Sequence, residues 1–352
     1  MCVKSIYLSN FMLFQNLDMD FSKNINVISG ENSTGKTALL KIIYSNLKAI
    51  SELNKSRSIV TKEKFEEVLV NKLQGVFRPD ENYIGRLVGR KQGTGKTEVR
   101  IAIGEKNINF EFSSRQEKHV TIKNGERLRL RNFTPIYIPP KEIISAVENF
   151  SALYEEYHIA FEETYYDLAK LLQKPLRKGP NTREQVVILE KFEEIMEGKI
   201  IQKDSKFFLR VDGSGEFEMG LVSEGYRKLS TIMYLILSGS LGKNSVLFWD
   251  EPETNMNPKM IPALVAAIIE LAKMGVQVFV TTHDYFVQQE FNLFAEYQKE
   301  KVVDVRFVSL YKDEGIVKAE IADRLAGLSH NSITEEFENL YNKEQRLFYD
   351  VD

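Results

Sequence analysis

The sequence predicts an α/β fold built on a largely parallel sheet. Three observations predict it. A short apolar run, Ile25 to Ile28, ends in Ser29-Gly30 and precedes a helical pattern that starts at Lys36. Val246 to Trp249 is a second buried-strand run, and Val278 to Val280 is a third, reached through a helical stretch from about Pro258 to Met274. Strands joined by right-handed helical crossovers lie parallel, and such sheets carry their sites at the C-terminal ends of the strands.

The remaining elements follow in order. Ser5 to Asn10 and Leu17 to Phe21 alternate as half-buried strands do. Leu39, Leu40, Ile43 and Leu47 give the helix from Lys36 to about Leu53 one apolar face, and residues 60–77 read as a second amphipathic helix. From Glu98 the period becomes two, through Val99, Ile101 and Ile103 and again through Ile108, Phe110 and Phe112. Val120 to Lys123, an Asn124-Gly125 turn and Arg127 to Arg131 read as a hairpin. Ile136-Tyr137-Ile138 is one more strand. Residues 141–198 read as a mostly helical insert, a short hairpin broken at Lys174-Pro175 and Gly179-Pro180. Strands return at Phe207 to Val211 and Glu216 to Met219, and a helix spans Glu224 to Ser238. Beyond residue 283 come strands Val303 to Tyr311 and Ile316 to Ile321, then a terminal helix. The chain divides into an N-terminal half at 1–140 with a β subdomain, the insert at 141–198 and a C-terminal half at 199–352.

Composition sets bounds. Among 352 residues, 43% are hydrophobic and 28% charged, which suits a protein with an ordinary core. A net charge of −3 is not that of a polycation, so nucleic-acid binding must come from a local patch. No apolar stretch reaches the roughly 18 residues a membrane span needs. Cys2 is the only cysteine, which excludes a disulfide framework and a cysteine-rich zinc site. A cytoplasmic protein without membrane partners is expected.

Gly30-Glu31-Asn32-Ser33-Thr34-Gly35-Lys36-Thr37 matches the Walker A pattern, between a buried strand and a helix. The glycines allow a tight turn whose N–H groups wrap phosphate oxygens, Lys36 reaches the β- and γ-phosphates of ATP, and the Thr37 hydroxyl ligates Mg2+. Gly93-Thr94-Gly95-Lys96-Thr97 is a decoy: Arg90 stands where the first glycine belongs, and a strand follows. Asp250, at the end of Val246 to Trp249, is placed to hold the magnesium directly or through water, and Glu251 to polarise the attacking water. His283, after the third strand, is either a structural histidine or a group that reaches the γ-phosphate, and the context favours the second. Ser223 opens the helix before Walker B, as an ordinary N-cap or as a cap that also touches nucleotide.

Taken together, Walker A, Ser223-Glu224-Gly225, Asp250-Glu251-Pro252-Glu253 and Thr282-His283-Asp284 resemble the ABC-type ATPase heads of the SMC, RecF and OLD class. The nearest likeness is to stand-alone bacterial AAA ATP-binding proteins of phage-defence operons. The resemblance implies an ABC-type P-loop NTPase head with a mixed or parallel core sheet, an antiparallel β subdomain and a short helical insert. It implies head-to-tail dimers in which Ser223 and Gly225 contact the γ-phosphate held by the other subunit, with Glu251 as catalytic base and His283 as switch residue. Val222 to Tyr226 is a loose version of the family signature, and no glutamine follows Ile136-Tyr137-Ile138 where the family places one.

The function expected is an ATP-hydrolysing, dimerising switch that acts on DNA or on an effector protein such as a nuclease. A transporter motor would carry a fuller signature and no β-rich segment at 98–138, and a self-contained nuclease would carry a second carboxylate or histidine cluster. Arg127, Arg129 and Arg131 on one strand face, and Lys174, Arg177, Lys178 and Arg183 at the break in the insert, are the candidate DNA contacts or simply solvated charge.

Overall fold

A computed structural model describes residues 2–55, 61–90, 93–124, 133–298, 300 and 302–349. Within them the core sheet has six strands, in the order β14 (Ile316–Ala322), β13 (Val305–Asp313), β3 (Ile25–Gly30), β12 (Gln277–Thr281), β11 (Ser245–Asp250) and β7 (Thr134–Ile138). It is parallel except for the antiparallel edge strand β14. Every residue of β3, β11 and β12 is buried, as strands covered on both faces require. Successive residues enter different cores: Leu247 and Trp249 pack to one side, Val246 and Phe248 to the other.

One core holds α1 (Lys36–Lys55), α2 (Lys62–Phe77) and an antiparallel sheet ordered β2 (Phe14–Asp20), β1 (Val3–Phe11), β4 (Lys96–Ile103), β5 (Lys106–Ser113) and β6 (Thr121–Asn124). Val3 and Ile6 both face this core although three residues apart, because β1 slips register between Val3 and Ser5. The Gly93–Thr97 decoy leads into β4, as its alternation predicts, so no helix N-terminus follows it. The Asn124-Gly125 turn and the strand expected at Arg127 to Arg131 fall on or beyond the boundary of the described residues.

The other core gathers α6 (Glu224–Leu237), α7 (Ile261–Lys273) and α8 (Tyr285–Tyr297) with the insert. That insert is three helices rather than the expected hairpin: α3 (Phe150–Tyr157), α4 (Glu163–Leu172) and α5 (Arg183–Met196). A left-handed turn at His158, φ 48°, ends α3, a stop that neither proline nor glycine announces. Thr182 and Gln185 form a reciprocal capping box that starts α5 after the predicted break. A second small sheet, β10 (Gly215–Glu218), β9 (Lys206–Val211) and β8 (Gly198–Lys203), covers the insert. β8 was not expected, since adjacent Ile200 and Ile201 blur its alternation. Met219 is not its strand's last residue but opens a single 3-10 turn. The last helix, α9 (Ser332–Tyr349), has no buried residue and meets the body through Phe337 stacked on Tyr285 at 4.0 Å. No described helix is long and apolar enough to cross a membrane.

Candidate active site

β3 ends in Gly30 at φ 144°, where a Cβ would sit 2.1 Å from the Leu310 carbonyl oxygen of β13. Only glycine lets the chain leave the sheet there. Gly35, φ 94°, is packed under Phe14, whose ring would lie 2.6 Å from a Cβ. Between them Glu31, Asn32 and Ser33 are exposed, and buried Thr34 donates its hydroxyl to the Glu31 carbonyl at 2.8 Å. Lys36 donates to the Gly30 and Glu31 carbonyls, both at 2.9 Å. Burial lowers its pKa to about 8, against the pull of Glu251, Asp250 and Glu253. A desolvated ammonium held only by loop carbonyls gains from an anion, so the loop fits a phosphate chain.

Asp250 is fully buried at the end of β11. Its Oδ1 accepts from the Thr37 hydroxyl at 3.2 Å and from Thr281 at 2.5 Å, and Tyr137 donates to Oδ2 at 2.8 Å. Thr37 and Asp250 are 213 residues apart in the chain and meet because only β12 separates β3 from β11. A hydroxyl and a carboxylate are the hard oxygen donors magnesium prefers, so these residues fit the ion. Among the described residues no group of three His, Cys, Asp or Glu could hold a metal alone. An ion bound here would complete its shell with water or phosphate oxygens.

Glu251 adopts a left-handed backbone, φ 49°, which costs a non-glycine residue about 1–3 kcal/mol. Its N–H bonds to the Thr281 carbonyl at 3.2 Å and hydroxyl at 3.0 Å, holding the turn. The side chain then lies with Oε1 3.5 Å from His283 Nε2, while Thr254 donates to Oε2 at 3.3 Å. Burial, then Lys36, lowers the His283 pKa against the opposing carboxylates, so the imidazole is neutral at pH 7. Glu253 holds the following loop: its Oε1 accepts from the Thr282 hydroxyl at 2.6 Å and the His283 N–H at 3.0 Å. Burial pushes its carboxyl above the ordinary range, and its Oε2 is buried without a hydrogen-bond partner.

Lys36, Thr37, Glu251 and His283 line one cleft of about 400 Å³ whose apolar side is Met12, Leu13 and Phe77. Another cleft of about 400 Å³, among Lys23, Asp304, Arg306 and Arg324, opens at the other end of β3 and holds none of these groups.

Ser223 and Gly225 do not line the Walker A cleft of their own chain. Ser223 stands at the N-cap of α6, exposed, yet its side chain makes no capping bond, contrary to the simple N-cap reading. Gly225 packs beside Met256 and Met260. One turn further, buried Lys228 donates to the Thr254 carbonyl at 2.7 Å, to Glu251 at 3.3 Å and to Pro252 at 3.5 Å. Arg127, Arg129 and Arg131 lie outside the described residues. Lys174, Arg177, Lys178 and Arg183 are exposed, with Arg177 tied to Pro180 and Gln185.

Sequence reasoning missed Tyr137, Thr281, Lys228 and the Met12-Leu13 wall. Two large apolar residues in the tight turn between β1 and β2 were the available signal for the last; Tyr137 and Thr281 depend on strand register, and Lys228 on how α6 packs against the loop after β11.

Residues 25–287 match the family described as "AAA domain, putative AbiEii toxin, Type IV TA system". Over 112 residues the chain is 32% identical to the DNA replication and repair protein RecF of Clostridium acetobutylicum, covering 31% of this chain and 27% of that protein. The match thus spans little more than a quarter of that relative's length. Among solved structures, an SMC head bound to the C-terminal winged-helix domain of ScpA superposes with a TM-score of 0.55 at 11% identity, covering 92% of this chain and 98% of the other. An Smc head with an extended coiled coil, bound to a ScpA C-terminal domain derived from Pyrococcus furiosus, gives 0.51 at 11% identity over 97% and 99%. These two likenesses are of fold. The family match takes in the Walker A loop, the insert, the Ser223 helix and His283 in one stretch, and the chain belongs to that AAA-domain family.

Proposed function

We propose that this chain hydrolyses ATP with magnesium and uses the cycle as a dimerising switch on DNA or on an effector protein. The observation that carries the reading is the continuous row of Lys36, Thr37, Asp250, Glu251 and His283 across the C-terminal ends of three neighbouring strands. Loop N–H groups and Lys36 bind the triphosphate, and Met12, Leu13 and Phe77 offer the apolar surface for the base. Thr37 and Asp250 would hold magnesium, which would supply charge neutralisation to the phosphates when bound. Glu251, turned into the cleft by its left-handed backbone, takes the proton from the attacking water, and neutral His283 orients it.

In this reading the second half of the site comes from another copy. Ser223 is exposed, free of its own helix and away from its own Walker A loop, which supports contact in trans. Lys228 ties that signature helix to the Walker B loop of the same chain, so each site can report to the other. The biological setting we propose is phage defence or DNA maintenance in the cytoplasm. The toxin–antitoxin wording of the family and the repair role named for RecF support these two settings respectively.

Lys36→Ala and Glu251→Gln test the reading together. Both abolish magnesium-dependent ATP hydrolysis, but Lys36→Ala also loses nucleotide, whereas Glu251→Gln binds it and stalls. Wild-type turnover by Glu251→Gln would remove Glu251 as the base.

A further inference from the structure

Thr37 also faces a second cleft, of about 350 Å³, which Asp250 lines with it and whose far wall is the helical insert. Tyr137 lines it from the core sheet, and Glu162 and Tyr165 line it from the start of α4. Lys41 belongs to both clefts. It lies four residues beyond Thr37, hence on the same face of α1, about 5–6 Å away between Cβ atoms. Its ammonium would repel a divalent cation at Thr37 and Asp250 unless it were neutralised. Glu162 neutralises it: Nζ meets Oε1 at 2.6 Å, and the buried Thr164 hydroxyl donates to Oε2 at 3.3 Å, fixing the carboxylate. Glu162 and Asp250 also act on one phenol. Burial, then Glu162, pushes Tyr165 up to about 12, with a smaller push from Asp250.

We propose that Glu162 is a further carboxylate of the magnesium site, held by Lys41 until the cation arrives, so that the insert senses a metal-loaded nucleotide. This rests on the magnesium–nucleotide reading above. When the cation is bound, the Glu162 carboxylate faces two positive groups instead of one. Its share of Lys41 weakens, and α4, which begins at the next residue, follows the carboxylate.

The two partners of this ion pair therefore act on the metal with opposite signs. Removing Glu162 leaves Lys41 unneutralised beside the cation. Removing Lys41 leaves Glu162 wholly available to it. Charge alone would give these opposite signs through space, so the change in α4 on metal binding is what separates a carboxylate of the site from a neighbouring ion pair.

The experiment titrates Mn2+ into the full chain with a non-hydrolysable ATP analogue, reading free Mn2+ by electron paramagnetic resonance. Analogue affinity in EDTA is measured for each variant to separate nucleotide binding from metal binding. Glu162→Gln, which keeps shape, weakens Mn2+ roughly tenfold, the scale seen when an outer-shell group is lost. Lys41→Met tightens it severalfold, and the double variant falls between. Amide exchange in residues 160–172 slows on adding Mn2+ with analogue to the wild type and does not in Glu162→Gln. Equal Mn2+ affinities across all four proteins, with melting temperatures lowered alike in both single variants, would leave a structural ion pair and overturn the proposal. Failure of the wild type itself to take up Mn2+ with the analogue would instead remove the magnesium reading, and this proposal with it.

Discussion

His283 Nε2 stands 3.5 Å from Glu251 Oε1, a neutral imidazole against the carboxylate that faces the cleft. The pair is held from both sides: Glu253 accepts from the His283 backbone N–H, and Thr281 anchors that of Glu251. Glu251 and His283 therefore share one corner at the ends of β11 and β12.

Acid should first weaken the fold and then disable this corner. The folded-state pKa of His283 lies below the ordinary 6.5, so the unfolded chain takes the proton first. The group lowers stability progressively as pH falls through 6.5 towards the folded value, below which the loss is complete. In the folded enzyme, the imidazolium formed at still lower pH pairs with Glu251 and blocks it as a base. A kcat profile from about pH 5 to pH 8 should show an acid limb with an apparent pKa below 6.5, and His283→Asn should displace that limb. An unchanged limb in His283→Asn would assign it to another group.

Ser223 should act in trans. Mixing Lys36→Ala with Ser223→Arg subunits rebuilds one intact composite site per heterodimer and places both lesions in the other. Partial recovery of ATPase activity is expected, with a maximum near equal amounts. Two folded variants that stay inactive at every ratio would exclude a sandwiched site.

Lys228→Met should be costly for its size. The substitution keeps the buried stem but removes the Lys228 donor from the carbonyls of Thr254 and Pro252, while that of Glu251 keeps the Thr254 N–H at 3.2 Å. An unsatisfied buried acceptor costs about 1–3 kcal/mol, so a loss of roughly 2 kcal/mol is expected on urea unfolding. kcat should fall more than nucleotide affinity, because the loop that bears Glu251 loosens while the Walker A loop stays intact. A drop in affinity with kcat preserved would contradict this placement.

Tyr137→Phe isolates a single hydroxyl. The ring contacts with Tyr44 and Phe248 remain, and only the 2.8 Å bond to Asp250 Oδ2 is lost. A second group orienting a metal-holding carboxylate is worth roughly 10–100-fold in metal affinity or activity. The magnesium concentration at half-maximal rate should rise, while analogue binding in EDTA stays at the wild-type level. Unaltered magnesium dependence would reduce Tyr137 to packing.

The parts of this site written in contiguous residues were legible beforehand. The Walker A loop, Asp250-Glu251 and His283 each follow a buried strand directly, so local pattern and chemistry coincide. Tyr137 was legible only as a strand residue. Its hydroxyl reaches Asp250 because β7 pairs with β11 in a register that sets Tyr137 opposite Phe248, and nothing local encodes that pairing. Thr281 reaches the same carboxylate through the β11–β12 register, where it stands opposite Asp250. The break after α3 was hidden because a left-handed histidine ends the helix where glycine or proline would have signalled it.

The Walker A strand β3 has β12 on one side and β13 on the other, both from the last quarter of the chain. A ribosome delivering about 5–20 residues per second needs roughly 10–60 s to pass from Gly30 to β13. Until β12 is made Ile25 and Val27 have neither neighbour, and through the whole interval the loop lacks the Leu310 carbonyl against which Gly30 is fitted. Nucleotide therefore cannot template the early chain. It becomes a ligand only when the last strands close, which makes this head slow to mature and places its window of exposure to chaperones and proteases before its first turnover.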